Sequence, residues 1–359
     1  MRAAVATISA ALFLSVPVSA LPEVSARSAI LIDGTSGRVL YEKDADRKSL
    51  IASTTKIMTA TVAIEQCDLD MQVVIPPEAT GIEGSSIYLK PGETLCVKEL
   101  LYGLMLHSGN DAAVALAIAA GGSVEDFVAL MNEKARQLGM TQSEFANPNG
   151  LDDEHNYSTA RDMAKLTQYA MEQEAFREIV STKAITVGNR SLANHNKLLW
   201  RYEGAEGVKT GYTKKAGRIL VSSAERDGRR LIAVTINAPS DWNDHTQLLD
   251  YGFEQFSLQT VLTKGERIGQ APVVSGVEET VGLVTDGEFS YPLAQDEMVE
   301  FVVCAPKFCF APVTRTQPAG WVKILVGGKP VGEVQLVWED SVLESQQEHI
   351  GFLERLFGS

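Results

Sequence analysis

Strand-like segments at both ends of a long helical region constrain this fold more than any other feature of the sequence. Residues 26–45 predict a β-hairpin, because two β-rich runs flank a glycine-bounded turn at 34–37. Residues 206–237 alternate with a period of two and contain Asp227-Gly228, a dipeptide typical of hairpin turns. The spacing of apolar residues between these segments is helical. We therefore predict one sheet formed from both ends with a helical insertion, rather than repeated βαβ units.

The predicted helices of the insertion share apolar residues at helical spacing. They cover residues 49–66, 97–119 with a polar break at 108–110, 123–139 and 158–173, and a closing helix over 241–256 follows the second strand segment. With 359 residues and 45% hydrophobic residues, the chain is long enough for two domains with real cores.

The composition changes after about residue 258, where helical runs give way to short strands. The predicted fold class is α+β, with an antiparallel sheet and a helical subdomain in residues 21–257 and a small all-β domain in residues 258–339. Residues 340–359 return to helical spacing and predict an amphipathic C-terminal helix.

The first 20 residues predict a secretory signal peptide, because an apolar run follows Arg2 and Val18-Ser19-Ala20 fits a cleavage site. The alternative is a membrane anchor that is kept. The expected location is the cell envelope, either the periplasm or the outer face of the cytoplasmic membrane and wall. The net charge of −14 argues against binding to nucleic acid.

The four cysteines leave several states open. In an exported chain, Cys304 could pair with Cys309 and Cys67 with Cys96, or all four could be free thiols. A zinc site needs more ligands close together than these four residues offer, so no metal is predicted.

The stretch "SLIASTTKIMTATVAIEQ" contains a lysine that is costly to bury. Ser53 and Lys56 stand at positions i and i+3, so both project from one face of a helix. A serine hydroxyl is a weak nucleophile and needs a base beside it. A lysine can serve as that base if desolvation or a second cation lowers its pKa. Taken alone, the pattern is better explained by a helix cap with a lysine reaching to solvent.

Two further segments favour catalysis. "HSGNDAA" places Ser108 and Asn110 in the break between two helices, and "GVKTGYT" places Lys209, Thr210 and Gly211 on a strand. We predict that Ser108 relays a proton to the leaving amine and that Asn110 holds a substrate amide carbonyl. Lys209 should lower the pKa of Lys56 and hold a substrate carboxylate, to which Thr210 donates a hydrogen bond. Gly211 should let a peptide lie along the strand edge.

The order Ser-x-x-Lys, Ser-x-Asn, Lys-Thr-Gly is that of penicillin-binding proteins and class A β-lactamases. Together with "LLYGLMLHSGNDAA", "FANPNGL" and "YSTARDMA", it makes nearly the whole mature chain resemble the low-molecular-mass penicillin-binding proteins that are serine D-Ala-D-Ala carboxypeptidases. The resemblance implies a β-lactamase/transpeptidase-like catalytic domain. It also implies an oxyanion hole from the backbone N–H groups of Ser53 and Tyr212.

The resemblance implies removal of the terminal D-alanine from peptidoglycan stem pentapeptides through an acyl-enzyme on Ser53. β-Lactam antibiotics are then expected as covalent inhibitors, and no cofactor is required. The closest alternative is a DD-endopeptidase or transpeptidase, and a further alternative is a penicillin-reactive wall-binding protein without turnover.

Two other enzyme classes fit the sequence less well. A class A β-lactamase deacylates with a loop glutamate. Glu154 lies in the right region, but the expected asparagine context is absent and the extra β domain does not fit. A Ser-His-Asp hydrolase is disfavoured because there is no G-x-S-x-G motif. We expect a surface or supporting role for His107 and name no partner for His155 or His195.

The sequence leaves two interpretations open for each of two segments, the C-terminal tail and residues 81–89. Members of the family often end in a basic helix on the membrane, but here Glu344, Glu348 and Glu354 outnumber Arg355. Peripheral membrane contact and packing against protein are equally expected for this tail. Residues 81–89, "GIEGSSIYL", form either a loop near the site or a surface loop.

Overall fold

The structure is a computed structural model, and it describes residues 21–346. The predicted signal peptide and residues 347–359 of the predicted C-terminal helix lie outside the described residues. Within the described chain, unit 1 comprises residues 21–32 and 39–255, and unit 2 comprises residues 33–38 and 256–346.

Unit 1 is organised around a five-stranded sheet that both ends of the unit form. Its strands are β1 Ser28–Asp33, β2 Val39–Lys43, β3 Ser49–Leu50, β4 Gln72–Val74, β5 Thr94–Cys96, β6 Tyr157–Ser158, β7 Ala184–Val187, β8 Arg190–Ala193, β9 Ala205–Thr213, β10 Gly217–Arg226 and β11 Arg229–Ile236. The sheet order is β2-β1-β11-β10-β9, and β3–β6, β4–β5 and β7–β8 form small separate pairs. The predicted sheet with a helical insertion is confirmed.

The helices of the described chain all belong to unit 1. They are α1 Lys56–Gln66, α2 Val97–Leu106, α3 Asn110–Gly121, α4 Val124–Gln137, α5 Ala160–Glu172, α6 Glu174–Ser181, α7 Leu198–Arg201 and α8 Asp241–Gln255. Helix α1 lies in the core, where it contacts α2, α3, α4, α5 and α6. Of the helices in residues 21–346, none is long and apolar enough to cross a membrane by itself, and only the bent pair α3–α4 meets that test jointly.

The stretch around Ser53 differs from the single helix that its sequence predicts. Residues Ala52–Thr55 form a 3₁₀ helix, and α1 begins only at Lys56. Ala52 has a φ of 46°, a left-handed conformation that a regular α-helix excludes. In a 3₁₀ helix, side chains at i and i+3 lie directly above one another. The short helix therefore aligns the side chains of Ser53 and Lys56 more closely than an α-helix does.

Unit 2 is all-β within the described residues. Its strands are β12 Phe256–Leu262, β13 Arg267–Val274, β14 Thr280–Thr285, β15 Phe289–Ala294, β16 Val299–Cys304, β17 Cys309–Phe310, β18 Pro318–Val326 and β19 Lys329–Trp338. They form a six-stranded sheet, in the order β16-β18-β19-β14-β13-β17, and a two-stranded sheet of β12 and β15.

The predicted helix over 340–359 is wrong for residues 340–346, the part that the structure describes. Val342 forms a β-bridge with Val313, and Glu344 forms one with Gly276. The Val342 side chain is buried in an apolar cluster of unit 2, whereas Leu343 is exposed. This alternation of a buried and an exposed side chain is typical of an extended chain, in which successive side chains point to opposite faces.

All four cysteines are free thiols in this structure. Within residues 21–346, no group of three or more His, Cys, Asp or Glu side chains is arranged to hold a metal ion.

Candidate active site

The predicted catalytic residues meet at an open cleft of about 370 Å³ in unit 1. The cleft is lined by Ser53, Ser85, Ser108, His195, Lys197, Thr210, Gly211, Tyr212, Arg218, Asp241 and Trp242. Five of the eight residues singled out in the sequence therefore face one cavity. The other three, Lys56, Asn110 and Lys209, are buried behind it.

Lys56 is fully buried and adjoins the Ser53 hydroxyl. Its Nζ lies 3.2 Å from Ser53 Oγ, 2.7 Å from Asn110 Oδ1 and 2.5 Å from the carbonyl oxygen of Asn149. A neutral amine has two N–H donors and one lone pair. The two shorter contacts can take the donors, which leaves the lone pair facing Ser53. The arrangement is thus suited to accept the serine proton.

The electrostatic environment favours this neutral form. Burial, and next the charge of Lys209, lower the pKa of Lys56 well below its ordinary value of 10.5, against a smaller opposing effect of Asp111. Burial also lowers the pKa of Lys209, to about 7. The direction for Lys56 agrees with the pKa lowering predicted from the sequence.

Asn110 and Ser108 lie at the break between α2 and α3. Asn110 accepts a hydrogen bond from Lys56, while its Nδ2 donates to the Glu83 carbonyl at 2.5 Å. One N–H of that amide is left for a substrate carbonyl. Ser108 has a φ of 62° and lines the cleft. Its hydroxyl has no hydrogen-bond partner among residues 21–346, so it is free to bond a substrate.

Strand β9 forms the edge of the sheet at the cleft. Thr210, Gly211 and Tyr212 line the cavity, whereas Lys209 is only 1% exposed and donates to the Thr210 carbonyl at 2.9 Å. Lys209 therefore stands behind the surface of the cleft, like Asn110, and its bond to Thr210 uses one of its three N–H donors. A Cβ on Gly211 would lie 3.2 Å from Thr54 Cγ2, so this glycine also makes room for the 3₁₀ helix.

Gly150 approaches the 3₁₀ helix more closely than Gly211 does, and no sequence pattern indicated this role. It has a φ of 84°, and a Cβ there would lie 2.0 Å from the Ala52 carbonyl oxygen and 3.0 Å from the Ser53 nitrogen. No side chain fits at these distances without moving the backbone that carries the nucleophile.

We expect Gly150→Ala to lower the free energy of unfolding by about 3 kcal/mol, from a left-handed backbone penalty plus overpacking. Gly139→Ala is the matched control, because Gly139 also has a positive φ, of 65°, but nothing lies within 4 Å of its Cβ position. It should lose only about 1 kcal/mol. Urea unfolding of both variants measures the difference, and equal losses would show that the contact with Ala52 is unimportant.

Residues 81–89 form a loop at the site, which decides between the two interpretations of this segment. Asp111 holds the loop, because its carboxylate accepts hydrogen bonds from Ser86 Oγ at 2.6 Å and from the backbone nitrogens of Ile87 and Leu89 at 3.1 and 3.0 Å. The Ser85 carbonyl in turn accepts from the Asn110 nitrogen at 2.7 Å. The loop thereby fixes the position of Asn110.

The histidines within residues 21–346 and Glu154 do not form an alternative catalytic set. His195 lines the cleft, and burial lowers its pKa to about 4, so it is neutral at pH 7. Its ring stands 4.9 Å from that of His107. His245 is fully buried between Ser222 Oγ and Thr235 Oγ1, where it contributes to the core. Glu154 is 90% exposed and does not line the cleft, unlike a deacylating glutamate.

The cleft also contains residues that the sequence analysis did not single out. These are Ser85, Lys197, Arg218, Asp241 and Trp242. Ser85 belongs to the quoted 81–89 segment, but the others carried no motif. Arg218 lies opposite Tyr212 in the β9–β10 pairing and donates to Asp241 Oδ1 at 2.9 Å. Only the sheet register and the start of α8 bring this pair to the site.

Comparison with protein families gives two matches. Residues 15–240 match the model of the D-alanyl-D-alanine carboxypeptidase family, and residues 256–344 match that of the C-terminal domain of penicillin-binding protein 5. The D-alanyl-D-alanine carboxypeptidase DacF of Bacillus subtilis is 33% identical over 93% of this chain and 89% of its own length. DacC of Escherichia coli is 34% identical over 94% of this chain and 88% of its own length.

Solved structures agree in fold. Penicillin-binding protein 5 of Haemophilus influenzae has a TM-score of 0.77 and 31% identity, and the match covers 91% of this chain and all of the other. Penicillin-binding protein 6B of Escherichia coli has a TM-score of 0.73 and 28% identity over 90% of this chain and 98% of its own. The predicted transpeptidase-like domain followed by a small all-β domain is confirmed.

Proposed function

The chain belongs to the D-alanyl-D-alanine carboxypeptidase family, and on that premise we propose that it removes the terminal D-alanine from peptidoglycan stem peptides through an acyl-enzyme on Ser53. It is a serine-type hydrolase of this family. The observation that carries the mechanism is the contact of Ser53 Oγ with the buried Lys56 amine at 3.2 Å. A hydroxyl needs such a base to act as a nucleophile near neutral pH.

In the acylation step, Lys56 takes the Ser53 proton as Oγ attacks the carbonyl carbon of the penultimate D-alanine. Asn110 and Asn149 hold the Lys56 amine through its two short contacts, so its lone pair stays directed at Ser53. The negative charge on the tetrahedral intermediate is assigned to the backbone N–H groups of Ser53 and Tyr212, both of which line the cleft.

The intermediate collapses when the C–N bond of the terminal residue breaks. Ser108 lines the cleft with Ser53 and its hydroxyl is not bonded to other described residues, so it is assigned the relay of a proton to that nitrogen: it gives its own proton and takes up the one that Lys56 holds, which returns Lys56 to the neutral amine. Water then gives a proton to Lys56 as it attacks the Ser53 ester, and Ser53 recovers that proton when the shortened peptide leaves. A β-lactam follows the same first step, but its leaving nitrogen remains attached within the acyl group.

Export to the cell envelope is part of the proposal and is supported by the signal-like sequence of residues 1–20. The substrate class supports the same location, since peptidoglycan lies outside the cytoplasmic membrane. Peripheral membrane contact through residues 340–359 stays a prediction. The acidic residues of that segment give it little electrostatic attraction to anionic lipids.

The test measures free D-alanine released from a peptide ending in Lys-D-Ala-D-Ala, alongside a cross-linked peptide in which the terminal carboxylate is absent. We expect release from the first peptide, and a penicillin pulse should add one penicilloyl group in the intact mass. Cleavage of the cross-linked peptide alone would instead establish an endopeptidase. A stable adduct without any cleavage would overturn the hydrolytic function.

A further inference from the structure

The segment of residues 81–93 contains no helix or strand, yet it contacts the catalytic centre through Asn110. The Asn110 nitrogen donates to the Ser85 carbonyl at 2.7 Å, and its side-chain Nδ2 donates to the Glu83 carbonyl at 2.5 Å. These two bonds set the orientation of the Asn110 amide, whose Oδ1 accepts a hydrogen bond from Lys56 at 2.7 Å. Any group that holds this segment in place therefore also helps to position the catalytic base.

Part of the segment has a backbone conformation that is unfavourable by itself. Tyr88 has a φ of 59°, in the left-handed region that disfavours residues other than glycine. Its side chain is 80% exposed, so packing of the ring contributes little to holding it. Such a conformation persists only where the surrounding contacts fix it. One of these contacts comes from Ser86, whose Oγ accepts a hydrogen bond from the Tyr88 nitrogen at 2.9 Å.

Arg190, on strand β8, holds the same backbone from outside the segment. Its Nε donates to the Ile87 carbonyl at 2.6 Å, and its Nη2 donates to the Tyr88 carbonyl at 2.9 Å. Its Nη1 and Nη2 also donate to the two carboxylate oxygens of Glu93, at 2.6 and 2.7 Å. Four of the five N–H donors of the guanidinium thus bind a single segment. The Arg190 side chain is only 13% exposed, so these bonds are largely shielded from water.

Asp111 binds the same stretch with the opposite chemistry. Its carboxylate accepts hydrogen bonds from the backbone nitrogens of Ile87 and Leu89. Arg190 instead donates to the carbonyls of Ile87 and Tyr88. An ionised carboxylate only accepts hydrogen bonds and a guanidinium only donates them, so neither group can replace the other.

We propose that Arg190 is a positioning residue of the catalytic centre: it keeps the segment against Asn110, and Asn110 keeps the Lys56 amine directed at Ser53. Without the guanidinium, two carbonyls lose their donors and the unfavourable backbone conformation is no longer held. The segment then shifts, the Asn110 amide turns with it, and the lone pair of Lys56 no longer faces the hydroxyl. Displacing reacting groups by about 1 Å can lower a rate ~100-fold. This inference rests on the proposed function.

The experiment follows acylation of Ser53 by a penicillin, using intact mass at several penicillin concentrations. The concentration dependence separates the rate at saturation from the half-saturating concentration. Arg190→Met should lower the rate at saturation about 10- to 100-fold, because the reacting groups are displaced. The half-saturating concentration should change less. The value of kcat/KM for D-alanine release from a peptide ending in Lys-D-Ala-D-Ala should fall by a similar factor.

Arg230→Met is the matched control, because Arg230 also bonds both carboxylate oxygens of one glutamate. Its Nε and Nη2 donate to Glu206 at 2.7 and 2.9 Å, and both side chains are 21% exposed. Neither residue lines the cleft. This variant should lose about as much stability to urea as Arg190→Met, but it should keep the wild-type acylation rate. The comparison separates positioning from a general loss of stability.

Arg190→Lys is a milder variant, since it keeps a positive charge beside Glu93. A lysine has a single nitrogen and cannot span two carbonyls and a carboxylate. Its urea midpoint should therefore lie close to that of wild type, while its acylation stays slower. A wild-type rate in either Arg190 variant, or an equal loss of rate in Arg230→Met, would overturn the proposal and leave the proposed function standing. If wild type is not acylated and releases no D-alanine, the proposed function fails, and this inference fails with it.

Discussion

Ser53→Ala is expected to abolish both D-alanine release and the penicilloyl adduct. The loss in kcat should be on the order of 10⁶-fold, the effect of removing the nucleophile of a serine hydrolase. Any activity that remains in the variant comes from substrate binding without a nucleophile and cannot form a covalent adduct. The intact-mass measurement after a penicillin pulse should therefore show no added mass. The fold should survive, because within the described chain the Ser53 hydroxyl has one side-chain partner, Lys56.

Ser49→Ala is the matched control for this substitution. Ser49 lies four residues upstream in β3, does not line the cleft, and makes only a long 3.4 Å hydrogen bond to the Arg47 carbonyl. It should retain both the release and the adduct. A penicilloyl adduct on the Ser53→Ala variant would show that another hydroxyl is the nucleophile, with Ser108 the first to be examined.

Lys56→Met should lower kcat/KM for acylation by about 10² to 10⁴-fold, the range of general-base catalysis. Lys56→Arg should fail equally, although it keeps donors for Asn110 and Asn149, because a guanidinium is not deprotonated in proteins. Together these variants separate the loss of a base from the loss of hydrogen bonds. Near-normal activity of Lys56→Arg would mean that Lys56 acts only as a fixed charge.

The pH profile gives an independent test of the same base. The active form of Lys56 is neutral, so kcat/KM should rise as pH increases through its pKa, which lies well below 10.5. Replacing Lys209 with methionine removes a positive charge that lowers this pKa. The acid limb should then move to higher pH. A limb that stays in place or moves lower would show that Lys209 does not act on Lys56.

Much of the catalytic centre could be predicted from the sequence, because each motif lies on a helix break or strand that the local pattern indicates. Ser108 could be placed at a break between helices, and Lys209 on a strand, before any contact was known. Lys197, Arg218 and Trp242 could not be found in this way. Arg218 and Trp242 reach the cleft only through the register of β9 with β10 and the start of α8, and Lys197 reaches it through the loop before α7; all of these are long-range features.

Two local details also escaped the sequence patterns. Helical spacing does not distinguish a 3₁₀ helix from the first turn of an α-helix, so the start of α1 at Lys56 was missed. In residues 340–346 the apolar spacing suited both a helix and an extended chain. Burial of Val342 in the core of unit 2 decided between them, and a single-sequence pattern contains no information on that core.

The sheet order has a consequence for biosynthesis. Strand β1 pairs with β11, although Asp33 and Arg229 are almost two hundred positions apart in the chain. Contacts of such long sequence separation form late, because the intervening loop must close first. Ser53 and Lys56 are synthesised early, but Lys209 joins them only when β9 to β11 are in place. The surroundings that activate Ser53 are therefore complete only near the end of folding, so Ser53 is inactive in a partly folded chain.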